Sequence, residues 1–166
     1  MLQASDGGRD VEYRRLGWRQ AVVPLIRLLI VDDHLPVRRG LEQLFGTVPG
    51  VEVVGVASDG AQAVTQADRL RPDVILMDIL MPKTDGIEAT RQISEAQPGA
   101  RIVILTVHGH QARMRDALQA GAASYMSKYS DPEDVIRAVQ TAYTARRRPP
   151  IRLVQRRAGR LDDARS

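Results

Sequence analysis

Apolar residues gather along the chain in five short runs: Ile26 to Val31, Val51 to Val56, Val74 to Met77, Ile102 to Leu105 and Ala122 to Met126. The runs are continuous rather than alternating and rich in β-branched residues. Such strands need cover on both faces, the condition of a parallel sheet held between helical layers. Helix-like stretches separate the runs, so the chain reads as five βα units. Start signals agree with this. Pro36 stands early in the first helix, Ser58 or Asp59 precedes AQAVTQADRL, and Asp85 precedes GIEATRQISEA. Asp131-Pro132-Glu133 opens the fifth, with Asp131 as cap, Pro132 as first helical residue and Glu133 and Asp134 complementing the helix dipole. Breaks fall at Gly46, Pro49 and Gly50, at Arg71-Pro72, at Pro98-Gly99 and at Gly121.

With 166 residues, 43% of them hydrophobic, the chain can bury one substantial core. It has no cysteine, which excludes disulfides, a thiolate nucleophile and cysteine-based metal sites. No apolar run approaches the roughly 18 residues that span a bilayer, and the N-terminal stretch lacks the apolar core of a signal peptide. A soluble, cytoplasmic protein is therefore expected. The net charge of +4 is unevenly placed. Residues 1–25 carry four Arg against three acids and residues 146–166 eight Arg against two Asp, so 26–145 carries −3. A basic tail on an acidic body points to a solvated or partner-binding appendage more than to a basic groove. The expected organisation is an N-terminal extension over 1–25 without regular structure, a folded domain over 26–145, and an Arg-rich tail over 146–166 that is disordered or weakly helical.

Binding residues of an open parallel sheet collect beyond the carboxyl ends of its strands, near the point where strand order reverses. The first run ends in Asp32-Asp33, the third in Asp78, the fourth in Thr106, and Lys128 follows the fifth. Three carboxylates at one edge raise one another's pKa unless a cation neutralises them. Oxygen-only ligands favour a hard divalent ion, Mg²⁺ above others because it takes few carboxylates and keeps water or phosphate oxygens. A carboxylate beside such an ion can attack a phosphoryl group to form an acyl phosphate. In that chemistry Asp78 is nucleophile and metal ligand, Asp32 and Asp33 hold the ion, Lys128 pairs with the phosphoryl oxygens, and Thr106 donates its hydroxyl to them. Lysine occurs only at positions 83 and 128, against 22 Arg, which singles out Lys128. Blander roles exist for each residue: Asp32 as a helix cap, Asp78 as a turn former, Thr106 as a strand residue, Tyr125 as core packing. His34, His108 and His110 fit loop and helix-start positions better than a metal cluster, and Met77 and Met81 fit packing.

The segments LLIVDDH, DVILMDILMPKTDG, IVILTVHG and AGAASYMSK together resemble the receiver domains of bacterial two-component response regulators, over about residues 26–145. The resemblance implies a three-layer, flavodoxin-like, doubly wound sheet of five parallel strands in the order 2-1-3-4-5. It implies phosphorylation of Asp78 by a sensor histidine kinase, with Mg²⁺ bound by Asp33, Asp78 and the backbone carbonyl of Leu80, and Asp32 acting largely through water. It also implies a switch pair, Thr106 and Tyr125, and a phosphorylation-dependent homodimer through about Gly109 to Arg146. VDDHLPVRRGL and SDPEDVIRAV are most similar to receivers that precede a LuxR-type (NarL-like) DNA-binding domain regulating transcription. After Tyr143 that class continues into a helical output domain, whereas this sequence ends in the Arg-rich tail, as a truncation, a frameshift or a stand-alone receiver would each leave it. DNA binding is accordingly not expected of the domain itself. Lys128 is followed by Tyr129 where many receivers have proline.

Two other functions compete with the switch, which is expected to turn over only through autophosphotransfer and autodephosphorylation. An Mg²⁺-dependent phosphohydrolase with an aspartyl-phosphate intermediate shares the acidic edge, but usually needs a carboxylate two residues after the nucleophile, where this chain has Leu80. A nucleic-acid binder would work through Arg146 to Arg160 and show steep salt dependence.

Overall fold

A computed structural model describes residues 25–107 and 111–146. The N-terminal extension, most of the Arg-rich tail, His108 and His110 lie outside the described residues.

Five strands alternate with five helices. They are β1 (Ile26–Val31), α1 (Leu35–Gly46), β2 (Val51–Ala57), α2 (Gly60–Leu70), β3 (Val74–Met77), α3 (Gly86–Ala96), β4 (Arg101–Thr106), α4 (Gln111–Gln119), β5 (Ser124–Ser127) and α5 (Pro132–Arg146). The strands form one parallel sheet in the order β2-β1-β3-β4-β5. Side chains of successive strand residues point to opposite faces, and each face carries its own helical layer. Leu29, Val31, Ile75, Met77, Ile102 and Ile104 pack with Ala63, Ala67, Ile87, Ile93 and Ala117 of α2, α3 and α4. Leu28, Ile30, Val74, Leu76, Val103 and Leu105 pack with Phe45 of α1 and Val135 and Val139 of α5.

Cover on both faces, expected of every apolar run, holds for the three central strands. β3 is buried at all four positions, and β1 and β4 at all but one. The edge strands differ: β2 is mostly half-buried and β5 has no fully buried residue, because each lacks a neighbour on one side. Helix starts follow the local chemistry. Asp59 caps α2 by accepting from the Gln62 amide at 2.8 Å, and Asp85 caps α3 by accepting from Ile87 at 2.8 Å. Ser58 instead meets the Gln62 side chain. Arg71 ends α2 in the left-handed conformation, with φ of 47°. α1 begins at His34 without a side-chain cap.

Chain order reverses between β1 and β3, since β1 leads through α1 to β2 on one side and β2 leads through α2 back to β3 on the other. The crevice outside the carboxyl ends of β1 and β3 is therefore where a site belongs.

Candidate functional site: an acidic pocket at the strand ends

Register builds the pocket. Val31 pairs with Met77, so the residues that follow them, Asp32 and Asp78, leave the sheet side by side. The Asp78 amide donates to the Val31 carbonyl at 2.9 Å and the Asp32 amide to the Ala57 carbonyl at 3.1 Å, extending the ladder to the two acids. On the far side Thr106 pairs with Ser127, and the Lys128 amide donates to the Thr106 carbonyl at 2.8 Å. β4 thus hands Lys128 across to the acids, with Asp78 Oδ2 2.9 Å and Asp32 Oδ2 2.5 Å from its Nζ.

All three side chains are almost wholly enclosed. Two buried carboxylates beside one ammonium cost desolvation that their mutual attraction must offset, so a group of this kind is retained for chemistry more readily than for stability. Burial pushes Asp78 above the ordinary carboxylate range, against the pull of Lys128 and with the nearby Asp32 adding to the rise. For Lys128, burial favours the neutral amine, but hydrogen bonds and charge attraction to Asp32 and Asp78 outweigh it and hold the ammonium.

Asp33 stands exposed at the mouth, and oxygens of Asp32, Asp33 and Asp78 lie within 4.8 Å of one another. That donor set, all oxygen and all anionic, suits a hard divalent cation. Asp32 is further held by the His34 amide, which donates to its Oδ1 at 2.9 Å, and by Arg38, whose Nη1 donates to its backbone carbonyl at 2.6 Å. Leu80 is 43% exposed, and its amide approaches Asp78 Oδ1 at 3.4 Å. Thr106 is buried at the end of β4. Tyr125 sits one strand over, half-buried against the α2–α3–α4 layer, where burial raises its phenol and Arg113 opposes the rise. The residues singled out in the sequence thus come to one edge: Asp32, Asp33, Asp78, Lys128 and Leu80 at the pocket, and Thr106 and Tyr125 on its β4–β5 flank.

Two contributors went unread in the sequence. Gly86 approaches the backbone of Asp78 so closely that a Cβ there would sit 2.0 Å from the Asp78 carbonyl oxygen. The Asp85-Gly86 pair reads as a helix start, and nothing local tells that the glycine is needed for contact. Arg38, one of two arginines on α1, holds the carbonyl of Asp32. The bond between Lys128 and Tyr129 is trans, as are all described peptide bonds, and the Tyr129 ring is 83% exposed.

Comparison with known proteins agrees with this geometry. Residues 28–140 match the family model of the response regulator receiver domain. The chain is 40% identical over 123 residues to the response regulator UvrY of Escherichia coli K12, covering 74% of this chain and 56% of that protein. It is 42% identical over 118 residues to the transcriptional regulatory protein LiaR of Bacillus subtilis, covering 71% of this chain and again 56% of that protein. The chain therefore matches little more than half the length of these relatives. Among solved structures, a LuxR-family two-component response regulator from Aurantimonas superposes with a TM-score of 0.70 at 38% identity, covering 72% of this chain and 86% of that one. The receiver domain of the putative response regulator NarL from Mycobacterium tuberculosis superposes with a TM-score of 0.70 at 30% identity, covering 73% and 98%. Strand order, acidic pocket and these likenesses converge: the chain belongs to the receiver-domain family of two-component response regulators.

Proposed function

We propose that this chain is a phosphorylation switch whose acceptor is Asp78, charged by a sensor histidine kinase in an Mg²⁺-dependent transfer, and that its output is the control of transcription. One observation carries the reading: Lys128 Nζ lies 2.5 Å from Asp32 and 2.9 Å from Asp78, with Asp33 at the mouth of the same pocket.

In the proposed transfer an Asp78 oxygen attacks the phosphorus of a phosphohistidine. The new O–P bond forms as the N–P bond breaks, and the imidazole leaves with the bonding pair. Lys128, already beside that oxygen, moves its hydrogen bonds to the incoming phosphoryl oxygens, which keep its charge paired. Thr106 offers its hydroxyl from the end of β4, and Tyr125 follows into the space behind it. Asp33, Asp78 and the Leu80 carbonyl would hold Mg²⁺, with Asp32 acting through water. When bound, the ion supplies positive charge against the repulsion among carboxylates and phosphoryl oxygens. Phosphorylation favours a homodimer through α4, β5 and α5, where Met114 and Leu118 are exposed.

The test is intact mass after incubation with a small-molecule phosphodonor, with and without Mg²⁺, for the wild type and Asp78→Asn. A gain of one phosphoryl group that needs Mg²⁺, is labile to hydroxylamine and is absent in the variant is the expected result. No gain in mass while calorimetry still detects Mg²⁺ binding would sink the phosphoacceptor reading and leave a domain acting through protein contacts.

A further inference from the structure

The loop from Asp78 to Asp85 carries Leu80, and it is fastened at two places with Leu80 between them. The first is Ile79, whose carbonyl accepts from Met81 at 3.1 Å and from Gly86 at 3.0 Å. The second is the start of α2, on another part of the sheet. Lys83 adopts φ of 68°, a left-handed conformation that a residue with a Cβ takes at a cost and keeps only where its surroundings impose it. Its ammonium lies 3.5 Å from Asp59 Oδ2. Asp59 is buried, and its other oxygen is committed to capping α2 through the Gln62 amide. Thr84, the next residue, rests directly on Gly60: a Cβ there would meet the Thr84 carbonyl oxygen at 2.5 Å and its side-chain carbons at 2.9 Å. Lys83 is 76% exposed along its side chain, so the ion pair contributes little to stability. A pair that ties an exposed loop lysine to a buried, fixed carboxylate bears more on where the loop lies than on how stable the fold is.

We infer that Asp59, Gly60 and Lys83 are positioning residues, a brace from the start of α2 that sets the loop, and with it the Leu80 carbonyl, for the divalent cation. The inference rests on the proposed Mg²⁺ site and adds residues that touch neither the ion nor the phosphoryl group.

The experiment is calorimetric titration of the full chain with MgCl₂, for the wild type, Asp59→Asn, Lys83→Ala, Lys83→Arg, Gly60→Ala and the Asp59→Asn/Lys83→Ala pair, with urea unfolding of each. Asparagine caps helices as well as aspartate does, so Asp59→Asn removes the charge and keeps the cap. Lys83→Ala and Asp59→Asn are expected to weaken Mg²⁺ binding roughly tenfold, the lower end of the range in which partners that orient metal ligands act. The double variant is expected to bind no more weakly than either single one, and Lys83→Arg to bind within about twofold of wild type by the same ion pair. Gly60→Ala pushes a carbon against the Thr84 carbonyl, so its Mg²⁺ affinity and its urea midpoint are both expected to fall. Unchanged affinity in Lys83→Ala and Asp59→Asn, with wild type binding normally, overturns the brace alone; so do additive losses in the double variant. A wild-type chain that binds no Mg²⁺ overturns the proposed site and the brace together.

Discussion

The β3–α3 and β4–α4 units sit side by side on one face of the sheet and are held very differently. α3 buries Gly86, Ile87, Ala89, Thr90 and Ile93, is capped by Asp85, and touches the backbone of Asp78 through Gly86. α4 buries only Ala117 and leaves Met114 and Leu118 more than a third exposed. An open cleft of about 500 Å³ runs between the two helices, lined by Asp85, Glu88, Arg91, Arg113 and Asp116, and an ion pair of 2.6 Å between Arg113 and Asp85 crosses it. Elements that move in a switch come from the weakly buried end of a structure, and elements that place reacting atoms from the other end. Under the proposed function, β3–α3 fixes the chemistry while α4 reports it.

The largest expected effect comes from breaking the fixed side. Gly86→Ala forces a carbon against the Asp78 carbonyl, and urea unfolding is expected to show a loss of about 3 kcal/mol or more, with phosphorylation abolished. A loss below about 1 kcal/mol would mean the contact is slack and the contrast overstated. Lys128→Met removes the cation that links β5 to the acids. Without metal it leaves two buried carboxylates unpaired and costs about 3 kcal/mol; Mg²⁺ is expected to recover part of that, seen as a larger rise in Tm on adding MgCl₂ than in wild type.

Asp85→Asn keeps the cap of α3 but removes the charge facing Arg113. The expected cost is under about 1 kcal/mol, while hydrogen exchange quickens in α4 and not in α3. Equal quickening in both helices would show that they open together. Leu118→Lys is expected to change stability by less than about 0.5 kcal/mol, yet to abolish any self-association of the phosphorylated form in sedimentation. Equal sedimentation of the unmodified and phosphorylated wild type would remove α4 as a dimer face.

The smallest effect is a slope with pH. The Gln62 amide, helped by the Lys83 charge, holds Asp59 below its ordinary value of 3.8. A lowered carboxylate contributes stability above the unfolded value and loses it as pH falls through the folded one. Compared with Asp59→Asn, the wild-type urea midpoint is therefore expected to fall as pH drops below about 3.8.

How much of this was legible in the sequence depends on how local the cause is. The five strands, the caps at Asp59 and Asp85, the helix start at Pro132 and the break at Arg71 follow from hydrophobic runs and backbone chemistry within a few residues. The acids and Lys128 stood out because polar residues at the ends of buried strands have nowhere to go but the edge of the sheet. Strand order came from resemblance to receivers and not from the pattern, since apolar runs do not say which neighbours they choose. The shallow burial of β2 and β5 and the exposure of Met114 and Leu118 likewise depend on what lies alongside. Gly86 under the Asp78 carbonyl, Gly60 under Thr84, Lys83 turned left-handed toward Asp59 and Arg38 on the carbonyl of Asp32 are all contacts between segments distant in sequence or set by the turn between them. Local sequence determined which polar residues stand at the strand ends, because side-chain type and backbone propensity act at short range. Tertiary structure alone decided which of them are held fast and which are left free to move, because that is a property of packing between elements.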